Sequence, residues 1–177
     1  MLLRLLLVSC LSVLLLSNLL LSQPSLHLNK FRSWLGQKES RGANRSPLID
    51  SMNRYVGSPL GSPYCAAAVS YSLKLTPIVK SGLARNLRTK DTFTAFDVIM
   101  GKKQIKAGYI IIWQKGETIN GHTGVANKDW IKTKGESDEG NTSAGNSGSQ
   151  SNGDGFFKRQ RSIQPTSYFR IKWITPI

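Results

Sequence analysis

Apolar and polar residues alternate in three different rhythms along the chain. Residues 2–22 are almost wholly leucine, valine and serine, with one early charge at Arg4. Farther on, Leu48, Ile49, Met52, Tyr55 and Val56 recur at helical spacing. Ser46-Pro47 opens that helix with a cap and a residue suited to the first helical position, and Gly57 closes it. The same device recurs at Ser62-Pro63, where small and apolar residues carry a second helix through Cys65 to Leu75, and Pro77 stops it. A third, short helix is predicted over 92–100. After Gly101 the texture changes. Tyr109-Ile110-Ile111-Ile112-Trp113, bounded by Gly108 and Gly116, predicts a central strand. Further strands are predicted over 122–126, over 130–134 with an extension to 139, and over 156–163 and 168–174. Residues 140–155, rich in Gly, Ser and Asn, read as a surface loop. Helices first and strands after predict an α+β domain, its N-terminal helices packed on one face of a small antiparallel sheet.

Residues 23–43 are polar and basic and read as a linker with a short helix near 31–35. The domain is therefore expected over 44–177, as one unit without internal repeats. The apolar run of 1–22 has the form of a secretory signal, and its length equally suits a retained membrane anchor. Leu7-Val8-Ser9-Cys10 has the look of a lipoprotein processing site, set in the middle of that run. Each of these implies export to the cell envelope.

The 177 residues carry a formal net charge of +14, nearly all of it after the leader. Such a surplus suits an anionic partner: a wall polymer or a membrane surface. Export and the lack of an aromatic-and-basic motif argue against nucleic acid. Of two cysteines only Cys65 lies outside the leader, which rules out a disulfide framework within the domain and argues against a cysteine-based zinc site. A monomer is expected.

Cys65 falls in the first turn of its predicted helix. Unpaired N–H groups and the positive end of the helix dipole there favour a thiolate, a nucleophile near neutral pH. The plain alternative is a small core hydrophobe. A nucleophile needs a base, and the base needs an orienting group. His27 lies in the polar segment and is expected to be solvated and idle. His122 lies in Asn120-Gly121-His122-Thr123-Gly124-Val125, where glycines let a substrate or a second backbone approach. Glu139 and Asn141, two apart on a strand, share a side, so either is placed to accept the ring N–H. Each part also has a plain reading, as a surface histidine and as turn chemistry.

Gly61-Ser-Pro-Tyr-Cys65-Ala-Ala-Ala-Val-Ser, Gly121-His122-Thr-Gly-Val, Glu139-Gly-Asn141-Thr and the downstream Gly153-Asp-Gly-Phe-Phe-Lys-Arg-Gln-Arg161 follow in order. Together they resemble the CHAP domain family, cysteine, histidine-dependent amidohydrolases/peptidases within the NlpC/P60-like, papain-like group. The resemblance implies a papain-like fold, Cys65 as nucleophile, His122 as base, and Glu139 and Asn141 as orienting and polarising groups. It implies a substrate in the peptide part of peptidoglycan, cut in the stem or cross-bridge or between muramic acid and L-alanine, with no metal or organic cofactor. The chain departs from the family pattern at Tyr109, where an acid is usual, at Asp138, where an apolar residue is usual, and at Tyr64, where tryptophan is common. The rival expectations are a catalytically silent wall-binding module of the same fold, an acyltransferase, and a leader-anchored structural protein.

Overall fold

The computed structural model describes residues 25–40, 42–74, 80–145, 149 and 152–177. The predicted leader over 1–22 lies outside them, and among the described residues no helix is long and apolar enough to cross a membrane. The architecture is α+β. Helices α1 (Leu26–Arg32), α2 (Pro47–Val56) and α3 (Cys65–Ser72) come first, then a 3-10 turn (Ala84–Leu87). Strand β1 (Phe93–Thr94) and helix α4 (Ala95–Ile99) lead into β2 (Ile110–Lys115), β3 (Gly121–Ala126), β4 (Lys134–Thr142), β5 (Gly155–Ser162) and β6 (Phe169–Thr175). The six strands form one sheet in the order β1-β6-β2-β3-β4-β5, and every pairing is antiparallel.

Alternation along β2 divides the core. Ile110 and Ile112 join Val125 against the helices, packed on Ile49, Met52, Ala67 and Val69. Ile111 and Trp113 face the other way, into a second cluster with Ala126, Trp130, Ile171 and Val98 of α4. Burying a side chain such as Ile49 or Met52 contributes roughly 2 kcal/mol, which is why α2 sits where its apolar stripe falls. Its ends follow the sequence: Ser46 Oγ accepts from Ile49 N at 3.2 Å, and Gly57 terminates the helix at φ 74°.

Helix α3 is buried on almost all sides because α1, α2 and the sheet surround it. Its alanines allow close approach. A Cβ at Gly140 of β4 would lie 3.3 Å from Ala68 Cβ and 2.9 Å from the Phe156 ring, so the helix rests nearly on the strand. The helix begins two residues later than the cap-and-proline pattern predicts. Tyr64 is its N-cap and Cys65 its first residue, while Ser62 and Pro63 belong to the preceding turn, where Asn53 Nδ2 donates to Ser62 O. It ends at Ser72, short of the predicted Leu75, which lies outside the described residues.

Two other expectations are corrected. Residues 25–39 are part of the domain rather than a linker. Leu28, Phe31 and Trp34 are buried, and Phe31 and Trp34 form an aromatic cluster with Phe156, which Tyr64 and Tyr71 extend. Beyond α1, Gly36 N and Glu39 N donate to Phe156 O and Asp154 O, fastening the segment to the edge of β5. The third long strand, predicted from 130, starts at Lys134. Trp130 instead fills the second core cluster from the turn before it, with its ring over Gly135, where a side chain would collide.

Candidate active site

Strands β3 and β4 place the histidine and its carboxylate. Gly124 and Glu139 are paired across the ladder, so Glu139 lies on the same face as His122, two residues along β3. Its side chain crosses the bare Gly124 backbone, and Glu139 Oε2 stands 2.8 Å from His122 Nε2. Gly121 has a comparable role: a Cβ there would meet Trp113 O at 2.2 Å. The flanking glycines thus admit a neighbouring backbone at 121 and the orienting carboxylate at 124.

Both His122 and Glu139 are completely buried. Trp113 and Phe169 wall the imidazole, with ring centroids 5.4 and 6.2 Å away. Glu139 is held by more than the histidine. Arg161 Nε donates to Oε1 at 2.7 Å and Arg161 Nη2 to Oε2, and Ser137 Oγ also donates to Oε1. The guanidinium lies over the Trp113 ring, 5.1 Å from its centroid. Burial would raise the Glu139 pKa, yet the hydrogen bonds from Arg161 and His122 prevail and bring it down to about 2. An ionised carboxylate only accepts, so His122 Nε2 carries the proton and Nδ1 is the nitrogen left for other chemistry.

Cys65 lies at the start of α3, near that ring. His122 Nδ1 is buried without a hydrogen-bond partner; burial would lower the His122 pKa, but the nearness of Cys65 and Glu139 outweighs it and raises the value to about 9. The imidazole is thus disposed to hold a proton beside the sulfur. The thiol is free and 6% exposed. It opens on a cleft of about 620 Å³, lined by Ser62, Leu83, Lys115, Asn120, Asn152 and Phe169 among others. A cleft of that size takes a peptide-sized ligand.

The other named residues are placed as follows. Asn141 is buried next to Gly140, where β4 shifts register against β5, and its backbone is left-handed at φ 60°. That bulge breaks the two-residue alternation expected to set Asn141 beside Glu139, and the bond to the His122 ring comes from Glu139. Asp138 points to the opposite face, where both oxygens accept from Asn127 Nδ2 at 2.7 and 2.8 Å and Arg32 Nε lies 3.7 Å away. It anchors α1 to the sheet and leaves Glu139 undisturbed. His27, expected in solvent, is buried and its Nε2 lies 2.7 Å from Gly108 O, with burial lowering its pKa. Arg161, bonded to Glu139, is a residue that the sequence motif does not single out. Its signal was an arginine among alternating residues of a half-buried strand, which reads equally well as a solvated face.

No protein-family model and no curated protein sequence matches the chain. Among solved structures it is similar to the wild-type endolysin LysIME-EF1, with a TM-score of 0.50 and 16% sequence identity. The match covers 85% of this chain and 62% of that one, so the chain spans less than two thirds of the endolysin's length. At this identity the likeness is one of fold.

Proposed function

We propose that the chain is a cysteine amidohydrolase of the CHAP type, which cleaves an amide bond in the peptide part of peptidoglycan. One observation carries the reading: a buried imidazole, fixed at Nε2 by an ionised carboxylate, keeps its Nδ1 without a hydrogen-bond partner, while the nearby Cys65 sulfur opens on a cleft. The fold likeness to an endolysin is in keeping with a wall substrate.

In this mechanism the Cys65 thiol passes its proton to His122, and the thiolate attacks the carbonyl carbon of the wall peptide. The N–H groups of the first turn of α3 have no partners within the helix and face the developing oxyanion. Protonated His122 gives its proton to the leaving amine, the C–N bond breaks, and a thioester remains. His122 then takes a proton from water, whose oxygen displaces the sulfur to give a carboxylic acid. Glu139 keeps the ring in the required tautomer throughout, and Arg161 keeps Glu139 ionised and in place. Asn141 is assigned no direct bond to the ring; its position at the bulge beside Glu139 suits a polarising role at the edge of the site. The basic surface holds the enzyme near anionic wall polymers or a membrane surface, after export directed by the leader.

The test is release of muropeptides from purified cell wall by the wild type and by Cys65→Ser. The expected result is a fall of about a thousandfold or more in the variant, with mass identification of new carboxyl and amino termini in the wild-type digest. Equal release by both proteins ends the nucleophile assignment. Products joined to an added amine, rather than hydrolysed, would assign an acyltransferase instead.

A further inference from the structure

Beside the Cys65 cleft lies a second, smaller pocket of about 90 Å³, and the two share Ile119, Asn120 and Gly121 as a common wall. Its far side is formed by Arg85 and Arg88 on the 3-10 turn, and its end by Trp173. Arg88 is fixed there: its Nε donates to Arg85 O at 2.9 Å and its guanidinium lies over the Trp173 ring, 4.4 Å from the centroid. Both arginine side chains are exposed toward solvent. Among the described residues no Asp or Glu lines either the pocket or the cleft. The nearby acid, Glu117, is turned to Arg170 and Lys172, at 3.3 and 3.5 Å.

A separate observation concerns the wall of the same pocket. Gln114, in its wall, is only 9% exposed, yet its Oε1 is buried with no hydrogen-bond donor. Its Nε2 makes one long contact, to Thr118 O at 3.4 Å. A buried carbonyl oxygen without a donor is costly, and a ligand N–H would remove that cost. Two cations with no acid and one unfilled acceptor together describe a ligand bearing a carboxylate next to an amide or amine. The volume is about that of three waters, which admits a carboxylate on a short stem and excludes an aromatic side chain.

We propose that this pocket is a specificity subsite for a peptide residue with a free carboxylate, lying next to the residue whose carbonyl reaches Cys65. Arg85 and Arg88 take the carboxylate, in the forked geometry that suits a guanidinium, and Gln114 Oε1 accepts an N–H of the same residue. This rests on the reading of the cleft as a wall-peptide site and adds the charge of the substrate it prefers.

The test uses two stem tetrapeptides, one with free carboxylates and one with each converted to the carboxamide. Their binding to the full chain carrying Cys65→Ala is measured by calorimetry, with the Trp173 indole followed by NMR. The carboxylate peptide is expected to bind at least tenfold more tightly and to shift the Trp173 signal. Arg85→Gln combined with Arg88→Gln is expected to abolish the preference, and Gln114→Met to weaken both peptides alike. On otherwise wild-type enzyme, the double variant is expected to raise KM for the carboxylate peptide about tenfold with kcat little changed. Equal binding of the two peptides, or binding of neither, overturns the subsite. A carboxylate preference in binding without cleavage of wall by the wild type keeps the subsite and refutes the hydrolase reading.

Discussion

Glu139 reaches His122 by lying across Gly124, where a side chain would block it. A Cβ at 124 would stand 2.6 Å from Glu139 Cγ and 2.9 Å from Asp138 O. The carboxylate has little room to yield, since Arg161, Ser137 and His122 all hold it. Gly124→Ala is therefore expected to push Glu139 off the ring. Overpacking of this kind costs about 1–3 kcal/mol, and a misplaced general base lowers turnover by about a hundredfold. Thermal unfolding and wall digestion check the two effects. An alanine variant with wild-type turnover would show that Glu139 does not need this path.

The raised pKa of His122 is expected to set the alkaline limit of the proposed activity. The imidazole remains protonated up to about pH 9, so kcat/KM is expected to fall as pH rises through that value. The stability contribution has the same direction: it is fully present below the ordinary histidine value of 6.5 and is lost as pH climbs through about 9. Glu139→Gln and Cys65→Ala each remove a group that raises the pKa, so each is expected to move the NMR titration of His122 to lower pH. His27, the other histidine in the chain, serves as an internal reference. An unchanged His122 titration in both variants would contradict the geometry.

Arg161 controls the acid side. Glu139 contributes stability above its ordinary pKa of 4.5 and loses it only as pH falls through about 2, because Arg161 and His122 favour the charged form. Arg161→Gln is expected to let that loss begin at a higher pH, seen as an earlier acid transition in near-ultraviolet circular dichroism. The Arg161 side chain is 10% exposed and Glu139 fully buried, so at neutral pH the broken pair should cost about 3 kcal/mol. Arg161→Lys should restore part of the stability and little of the geometry, since an ammonium cannot occupy both oxygens as the fork does. A glutamine variant with the wild-type acid transition would remove Arg161 from the site.

These contacts show what was legible in the sequence. The start and end of α2, strand β2 and the α+β order were readable because each rests on local chemistry: a cap, a glycine, a run of β-formers. Cys65 and His122 stand out as candidates in the sequence because so few residues of their kinds are present. The choice between Glu139 and Asn141 was not, since it depends on a bulge that shifts β4 against β5. Gly124 was visible as a glycine, but its use appears only when β4 is laid alongside it. The pairing of Arg161 with Glu139 joins positions 22 residues apart on neighbouring strands. No spacing rule fixes such a pair until the register is known.

The clearest departure from the sequence reading, the place of α1, gives the last prediction. Leu28 and Phe31 are fully buried and Trp34 nearly so, in a stretch whose polar and basic composition hides a narrow apolar face. Phe31 packs edge-on against Phe156, whose ring also meets Tyr64, the residue before Cys65. From the same helix Arg32 donates to Asn127 O and lies beside Asp138, the neighbour of Glu139. A chain beginning at residue 44 would uncover Tyr64 and Phe156 and leave Asp138 buried without its cation. Such a chain is expected to be insoluble or to unfold without cooperativity, whereas one beginning at residue 25 keeps the core intact. Phe31→Ala in the full chain is the milder version. Losing a buried phenyl ring costs about 3–5 kcal/mol, which lowers Tm by roughly 10 °C for a domain of this size. If the chain beginning at residue 44 matched the longer one in both Tm and wall digestion, α1 would be an appendage, and the site would stand on the sheet and α3 without it.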